Sequence, residues 1–164
     1  MKTLLVLRHA KSSWKSLERS DHERPLNKCG ERDAPRIGRL VAERKILPDV
    51  IVASTAKRAH RTAQAVAVEI GRSDRVQFDQ RLYLATAAEI LKVLAAVGGS
   101  SNCLMVVGHN PGLEDLVTRL TGADEALPTA ALADIRLSIR NWTSLMSKSV
   151  GHLEGLWRPR TLND

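Results

Sequence analysis

Aromatic residues are scarce in this sequence: one phenylalanine, one tyrosine and three tryptophans make up 3% of its 164 residues. So few flat side chains leave little surface for stacking the bases of single-stranded nucleic acid. Cysteine is rarer still. Cys29 and Cys103 stand far apart and show no metal-ligand spacing, which points to two free thiols in a reducing cytoplasm. No apolar run approaches the ~20 residues of a membrane span, and the first one meets Arg8 too early for a secretory signal. A Walker loop, a G-x-G-x-x-G turn, a His-x-x-x-His pair and a Cys-x-x-Cys pair are all missing, which removes the usual nucleotide and metal readings. No repeat, low-complexity tract or linker interrupts the chain. Residues 1–164 therefore read as one domain, long enough to bury about two-thirds of its unfolded surface.

Positive charge is what the sequence does have. Lysine and arginine total 25 against 18 acids, a formal net charge of +7. The basic residues are mostly arginines dispersed among acids, so a field that draws in an anionic substrate accounts for them. Phosphate, free or carried on a protein, is favoured over nucleic acid as the partner.

Three short apolar runs end in polar chemistry. Leu4-Leu5-Val6-Leu7 has the character of a strand buried on both faces and stops at Arg8-His9-Ala10-Lys11. Val50-Ile51-Val52-Ala53 stops at Ser54-Thr55, and Cys103-Leu104-Met105-Val106-Val107-Gly108 stops at His109-Asn110-Pro111-Gly112. Any one of these endings is accounted for by an ion pair, a helix cap or an ordinary turn. Three together place Arg8, His9, Ser54, Arg58 and His109 at the edge of a sheet, where open α/β folds bind ligands.

Between the runs, a polar connection from Ala10 to Asn27 is long enough to suit a functional loop. A helix is predicted over Lys28–Arg44 with Asn27 as cap, and Pro35 inside it implies a kink or a later start. A second helix is predicted from Ser54 or Thr55 to Gly71, with Arg58 one turn in. A short strand over Val76–Phe78 and a helix over Thr86–Val97 follow. Asn110 is the expected cap of a helix with Pro111 in its first turn. Ile135 to Ile139 alternates like a half-exposed strand, Asn141 to Lys148 reads as turn or loop, and Gly151–Trp157 as a last strand. His152 is taken as a surface residue of that strand.

Two arginines offer forked donors for a tetrahedral anion at any working pH. A neutral histidine is a nucleophile when one ring nitrogen is free and the other is held. The set suggests phosphoryl transfer through a phosphohistidine, with cations neutralising the equatorial oxygens. This scheme needs no metal or cofactor.

Arg8-His9-Ala10, the segment Ser54-x-x-x-Arg58-Ala59-x-Arg61-Thr62-Ala63, and Val107-Gly108-His109 resemble, in order and spacing, the histidine phosphatase (phosphoglycerate mutase-like) superfamily. Within it, Arg8-His9-Ala10-Lys11-Ser12-Ser13-Trp14, Asp21-His22-Glu23-Arg24-Pro25-Leu26-Asn27, Gly108-His109-Asn110-Pro111-Gly112 and Pro128-Thr129-Ala130-Ala131-Leu132 look like the SixA-type phosphohistidine phosphatases. The resemblance implies a three-layer α/β/α sandwich with a mixed, mostly parallel sheet. It also implies His9 as the nucleophile, with Arg8, Arg58 and His109 around the phosphate. Ala10 replaces the glycine usual in the superfamily, as in the SixA-like branch.

Many members carry a glutamate that protonates a leaving alcohol, yet Arg81-Leu82-Tyr83-Leu84-Ala85 holds no carboxylate at the corresponding place. A phosphorylated imidazole leaves readily without that acid, so phosphohistidine is favoured over sugar phosphates. Asp21 and, less so, Glu18 are the candidate substitutes. As an acid, Asp21 changed to asparagine should slow ester cleavage more than phosphohistidine cleavage. The leading reading is a phosphohistidine phosphatase acting on a phosphotransfer protein, with Trp14 and the basic loop as docking surface. A small-molecule phosphatase or mutase of the same superfamily is the second reading. A non-catalytic phosphate- or nucleic-acid-binding module is the third.

Overall fold

The computed structural model describes residues 1–16, 18–146 and 151–162. Along these run β1 (Lys2–Arg8), α1 (Lys28–Arg44), β2 (Val50–Ala53), α2 (Lys57–Glu69), β3 (Val76–Phe78), α3 (Ala87–Val97), β4 (Cys103–Gly108), α4 (Gly112–Thr121), β5 (Leu132–Leu137) and β6 (Gly151–Trp157). The strands form one sheet in the order β3-β2-β4-β1-β5-β6. β3, β2, β4 and β1 are mutually parallel, while β5 runs antiparallel to β1 and β6 antiparallel to β5. The mixed, mostly parallel sheet expected from the sequence is therefore present.

Period-two alternation explains why the central strands read as unbroken apolar runs. Leu5, Leu7, Ile51, Met105 and Val107 pack on one face with Ile37 and Val41 of α1 and Val66 of α2. Leu4, Val6, Val52, Leu104 and Val106 pack on the other with Leu91 and Leu94 of α3 and Leu113 and Leu116 of α4. Helices thus cover both faces, giving the three layers of an α/β/α sandwich. Among the described residues, no helix is long and apolar enough to cross a membrane.

Several local expectations need correction. α1 begins at Lys28 directly after its cap, with the Asn27 side chain accepting from Gly30 N, and continues through Pro35 to Arg44. α2 begins at Lys57, later than predicted, because Ser54 still belongs to the sheet edge: its N–H donates to the Val107 carbonyl at 3.0 Å. Pro111, not Asn110, takes the cap position of α4; the Asn110 amide donates instead to Glu114 Oε1 at 2.5 Å and to the Leu127 carbonyl at 2.7 Å. β5 starts at Leu132 and is largely buried, since it lies inside the sheet between β1 and β6 and not at an exposed edge. The predicted loop after it contains a 3-10 turn, Trp142–Met146, whose Trp142 is buried and donates from Nε1 to the Ser101 carbonyl at 2.8 Å. The end of that predicted loop, residues 147–148, lies outside the described residues. His152 is exposed on β6 as anticipated.

The long connection after β1 is pinned at both ends. Ser13 N donates to the Pro25 carbonyl at 2.8 Å and Asn27 N to the Lys11 carbonyl at 2.9 Å. Gly30 in the first turn of α1 sits so close that a Cβ there would lie 2.1 Å from the Lys11 carbonyl oxygen. Only a residue without a side chain lets the helix press on the backbone that follows His9.

Candidate active site

Strand register assembles the site. Arg8 of β1 pairs with Gly108 of β4, and Ala53 of β2 with Val107 of β4. The next residues therefore emerge side by side at the carboxyl ends of three adjacent parallel strands, and His9 N donates to the Gly108 carbonyl at 3.1 Å. His9, Ser54 and His109 are all buried there, and Arg58, in the first turn of α2, is buried beside them. The rings of His9 and His109 lie tilted at 52° with centroids 5.2 Å apart.

Each histidine has one nitrogen held. The Ala10 carbonyl accepts from His9 Nδ1 at 2.8 Å, so the proton sits on Nδ1 and the lone pair on Nε2 is left available. Burial first, and then the positive charges of Arg58, Arg8 and Arg24, lower the His9 pKa from 6.5 to about 4. Burial lowers that of His109 to about 3, with His9 and Arg58 adding to the effect. Both rings are neutral near pH 7. His109 Nε2 lies 2.8 Å from Ser54 Oγ, which also accepts from Ala56 N at 3.2 Å. One lone pair of Ser54 Oγ is thus used; with the hydroxyl donating to Nε2 the His109 proton lies on Nδ1, the tautomer that offers an N–H to a bound oxyanion. Ser54, expected among the phosphate ligands, is fully buried behind His109 and holds that ring. Its place is orientation of the histidine, because its hydroxyl is already engaged.

Arg58 Nη1 donates to the Asp21 carbonyl at 2.7 Å and Nη2 to Asp21 Oδ2 at 3.0 Å. Arg24 Nε donates to Asp21 Oδ1 at 3.2 Å, and the Tyr83 hydroxyl to Oδ2 at 2.5 Å. Arg8 Nη1 reaches the Leu127 carbonyl at 3.1 Å. Among the described residues, Arg8 Nε, Arg24 Nη1, Arg58 Nε and His109 Nδ1 are buried nitrogens without a protein hydrogen-bond partner. Arg8, His9, Arg24, Arg58 and His109 line one cavity of about 310 Å³. Convergent cationic donors of this kind fit a tetrahedral oxyanion. A larger groove of about 980 Å³ lies elsewhere, along α1 and α2, and contains none of these groups. Among the described residues no group of three or more His, Cys, Asp or Glu side chains is placed to hold a metal ion.

The structure also changes the meaning of Asp21. Its carboxylate accepts from Tyr83, Arg58 and Arg24, and the Tyr83 hydrogen bond leads in lowering its pKa from 3.8 to about 2. In this arrangement it is held as an anion that clamps Arg58, which favours a positioning role over the substitute acid expected from the sequence. Glu18 is exposed on the loop and is not among the residues lining the cavity. Asp21→Asn therefore lowers kcat/KM by roughly tenfold, the scale of one charge-assisted hydrogen bond, on esters and phosphohistidine alike. Parallel kinetics on both substrates check this; a loss confined to the ester would restore the donor role.

Sequence reasoning missed Tyr83 and His22. The Tyr83 ring stands edge-on to His22 at 4.8 Å and to His109 at 5.6 Å, while His22 Nε2 lies 2.9 Å from Thr55 Oγ1. Thr62 ties helix to strand by accepting from Ala10 N at 2.9 Å and donating to the Arg58 carbonyl at 2.7 Å. The lone tyrosine so near the position of a missing acid was the signal available.

Residues 4–83 match the family model for the histidine phosphatase superfamily (branch 1). An uncharacterized chloroplastic protein of Arabidopsis thaliana is 31% identical over 168 residues, covering 95% of this chain and 77% of that one. The chain belongs to the histidine phosphatase superfamily. Among solved histidine phosphatase structures, a protein of Agrobacterium tumefaciens provisionally designated phosphohistidine phosphatase SixA superposes with a TM-score of 0.82 and 27% identity, over 96% of this chain and 98% of that one. A 2,3-bisphosphoglycerate-dependent phosphoglycerate mutase of Thermobifida fusca is 44% identical, but only over 73 residues, 43% of this chain and 30% of the mutase. The fold is that of this superfamily, and the chain is a phosphatase within it. An enzyme replaces the non-catalytic binding module weighed from sequence alone.

Proposed function

We propose that this histidine phosphatase hydrolyses phosphohistidine through a covalent phosphohistidine intermediate on His9. The observation that carries the reading is the set of donors on Asp21: its two carboxylate oxygens accept from Arg58, Arg24 and Tyr83, an arrangement that favours the anion over an acid able to protonate a leaving alkoxide. A phosphorylated imidazole needs no such help when its other nitrogen is protonated, since it then departs as neutral imidazole.

In the first step the His9 Nε2 lone pair forms a bond to phosphorus. The substrate P–N bond breaks and its electron pair stays with the departing imidazole. Arg8, Arg58 and the Nδ1–H of His109 take the nonbridging oxygens, where charge is spread in the transition state. In the second step water attacks phosphorus, the P–Nε2 bond breaks with its pair returning to His9, and the water proton leaves to solvent. Inorganic phosphate is released and His9 is again neutral. A mutase would need a group that both gives and takes protons at two hydroxyls, which Asp21 as an anion does not provide. Support for a protein-borne substrate comes from the SixA designation of the Agrobacterium neighbour. Cys29 and Cys103 are both free, which suits a reducing cytoplasm. The common sheet joining the six strands of the described residues supports residues 1–164 as one catalytic domain.

The test is a comparison of kcat/KM for phosphohistidine and for sugar phosphates. At least about a hundredfold preference for the P–N substrate is expected, the scale of one missing general acid; equal rates overturn the reading.

The titration of His9 gives a second expected result. Because kcat/KM reports groups of the free enzyme, its acid limb, normalised to the substrate's own titration, falls near pH 4 instead of near 6.5. Stability behaves differently. In the folded state His9 and His109 bind protons less readily than in the unfolded chain, so stability is full above 6.5 and declines as pH falls through that value toward 4 and 3. Thermal melts and rate profiles between pH ~3 and ~8 check both; an activity limb at 6.5 contradicts the neutral nucleophile.

A further inference from the structure

The phosphate cavity is cationic inside, yet two side chains on its border are apolar and exposed. Trp14 is 73% exposed and Leu84 57%. Neither has anything to offer a phosphoryl group, and both are held in place at some cost.

Trp14 stacks on Arg24, whose guanidinium carbon is 3.3 Å from the ring centroid. Arg24 is itself buried and donates to Asp21, which is bonded to Arg58 and Tyr83. A cation–π contact to a fixed guanidinium thus keeps an indole at the rim that would otherwise fold away from water. Leu84 follows Tyr83 and has φ +50°, the left-handed region that disfavours a branched side chain. Leu84 lies inside the turn closed by Ala85 N on the Leu82 carbonyl at 3.4 Å, directly after Tyr83, whose hydroxyl donates to Asp21. Backbone strain of this sort persists where the surroundings over-determine it, and it gathers at ligand sites. Asp21 is therefore the common anchor: through Arg24 it fixes Trp14, and through Tyr83 it fixes Leu84.

We propose that Trp14 and Leu84 form an apolar rim that receives the ring of the leaving group, making the site selective for phosphoryl donors whose leaving group is a flat ring. The phosphorylated imidazole of the proposed function, on which this assignment of ligand rests, is such a donor. When the P–N bond breaks and the pair stays on its nitrogen, the departing group is a neutral flat ring, suited to an indole and a leucine side chain. The two residues determine specificity and take no part in bond making.

The test uses the full chain and its variants Trp14→Ala and Leu84→Gly, the glycine being at ease at φ +50°. Three donors are compared: phosphoimidazole, with a ring and a P–N bond; p-nitrophenyl phosphate, with a ring and a P–O bond; and phosphoramidate, with a P–N bond and no ring. The kcat/KM ratio of each ring donor to phosphoramidate is expected to fall about tenfold in each variant, the scale of a lost ring contact. A ratio within about twofold of wild type in both variants overturns the proposal, including the case of an equal loss on all three donors, which marks a purely structural role. If wild type does not favour phosphoimidazole, but both variants lose selectivity for p-nitrophenyl phosphate, the rim stands and the phosphohistidine reading falls.

Discussion

His9→Ala lowers kcat/KM for every phosphoryl donor by about 10⁴-fold or more, the scale of a lost nucleophile, and leaves the fold in place. His109 offers no second route in the tautomer in which Ser54 donates to its Nε2, because Nδ1 then carries the proton. The fold survives because, among the described residues, the His9 side chain hydrogen-bonds sideways, from Nδ1 to the adjacent Ala10 carbonyl. What keeps the strand end in register is backbone: His9 N on the Gly108 carbonyl and Ala130 N on the carbonyls of Arg8 and His9. Circular dichroism and the melting temperature near pH 7 should match wild type. A wild-type rate in this variant removes the nucleophile assignment.

Arg58→Ala is expected to cost about 10³-fold or more in kcat/KM, the scale of one arginine removed from a transferring phosphoryl group. Two of its nitrogens are on Asp21, which fixes the plane of the guanidinium and leaves Nε, buried and unpartnered, for the oxyanion. Lysine at this position keeps the charge but loses the fork, so it restores only part of the rate. It cannot hold both oxygens of Asp21 and serve phosphate at once. Because the interaction strengthens as charge spreads in the transition state, kcat falls more than the affinity for inorganic phosphate. Rates within about threefold of wild type for Arg58→Ala would place this arginine outside the chemistry.

Much of this arrangement is legible from residue order, for a physical reason. In a parallel sheet buried on both faces, the strands announce themselves as apolar runs, and whatever ends each run is delivered to one edge. Arg8-His9, Ser54 and Gly108-His109 were readable because β1, β4 and β2 are neighbours in register. The start of α2 was not, since Ser54 has the look of a helix cap and spends its hydroxyl on His109 and Ala56 N instead. The role of Asp21 was hidden for a similar reason. Whether a carboxyl acts as acid or anion depends on what surrounds it, and its partners Arg24, Arg58 and Tyr83 arrive from three separate segments. Trp14 stands out in the sequence as part of the basic loop and a docking surface, but its stacking on Arg24 depends on how that loop folds back.

The central claim is that His9 Nε2 carries the phosphoryl group between donor and water. Rapid mixing of the enzyme with phosphoramidate, an alkaline quench and mass spectrometry of the digested chain test it directly. One phosphoryl group on His9, appearing before phosphate is released and absent from His9→Ala, is the expected result. Phosphate released with no label on His9, or with the label on another residue, would contradict it.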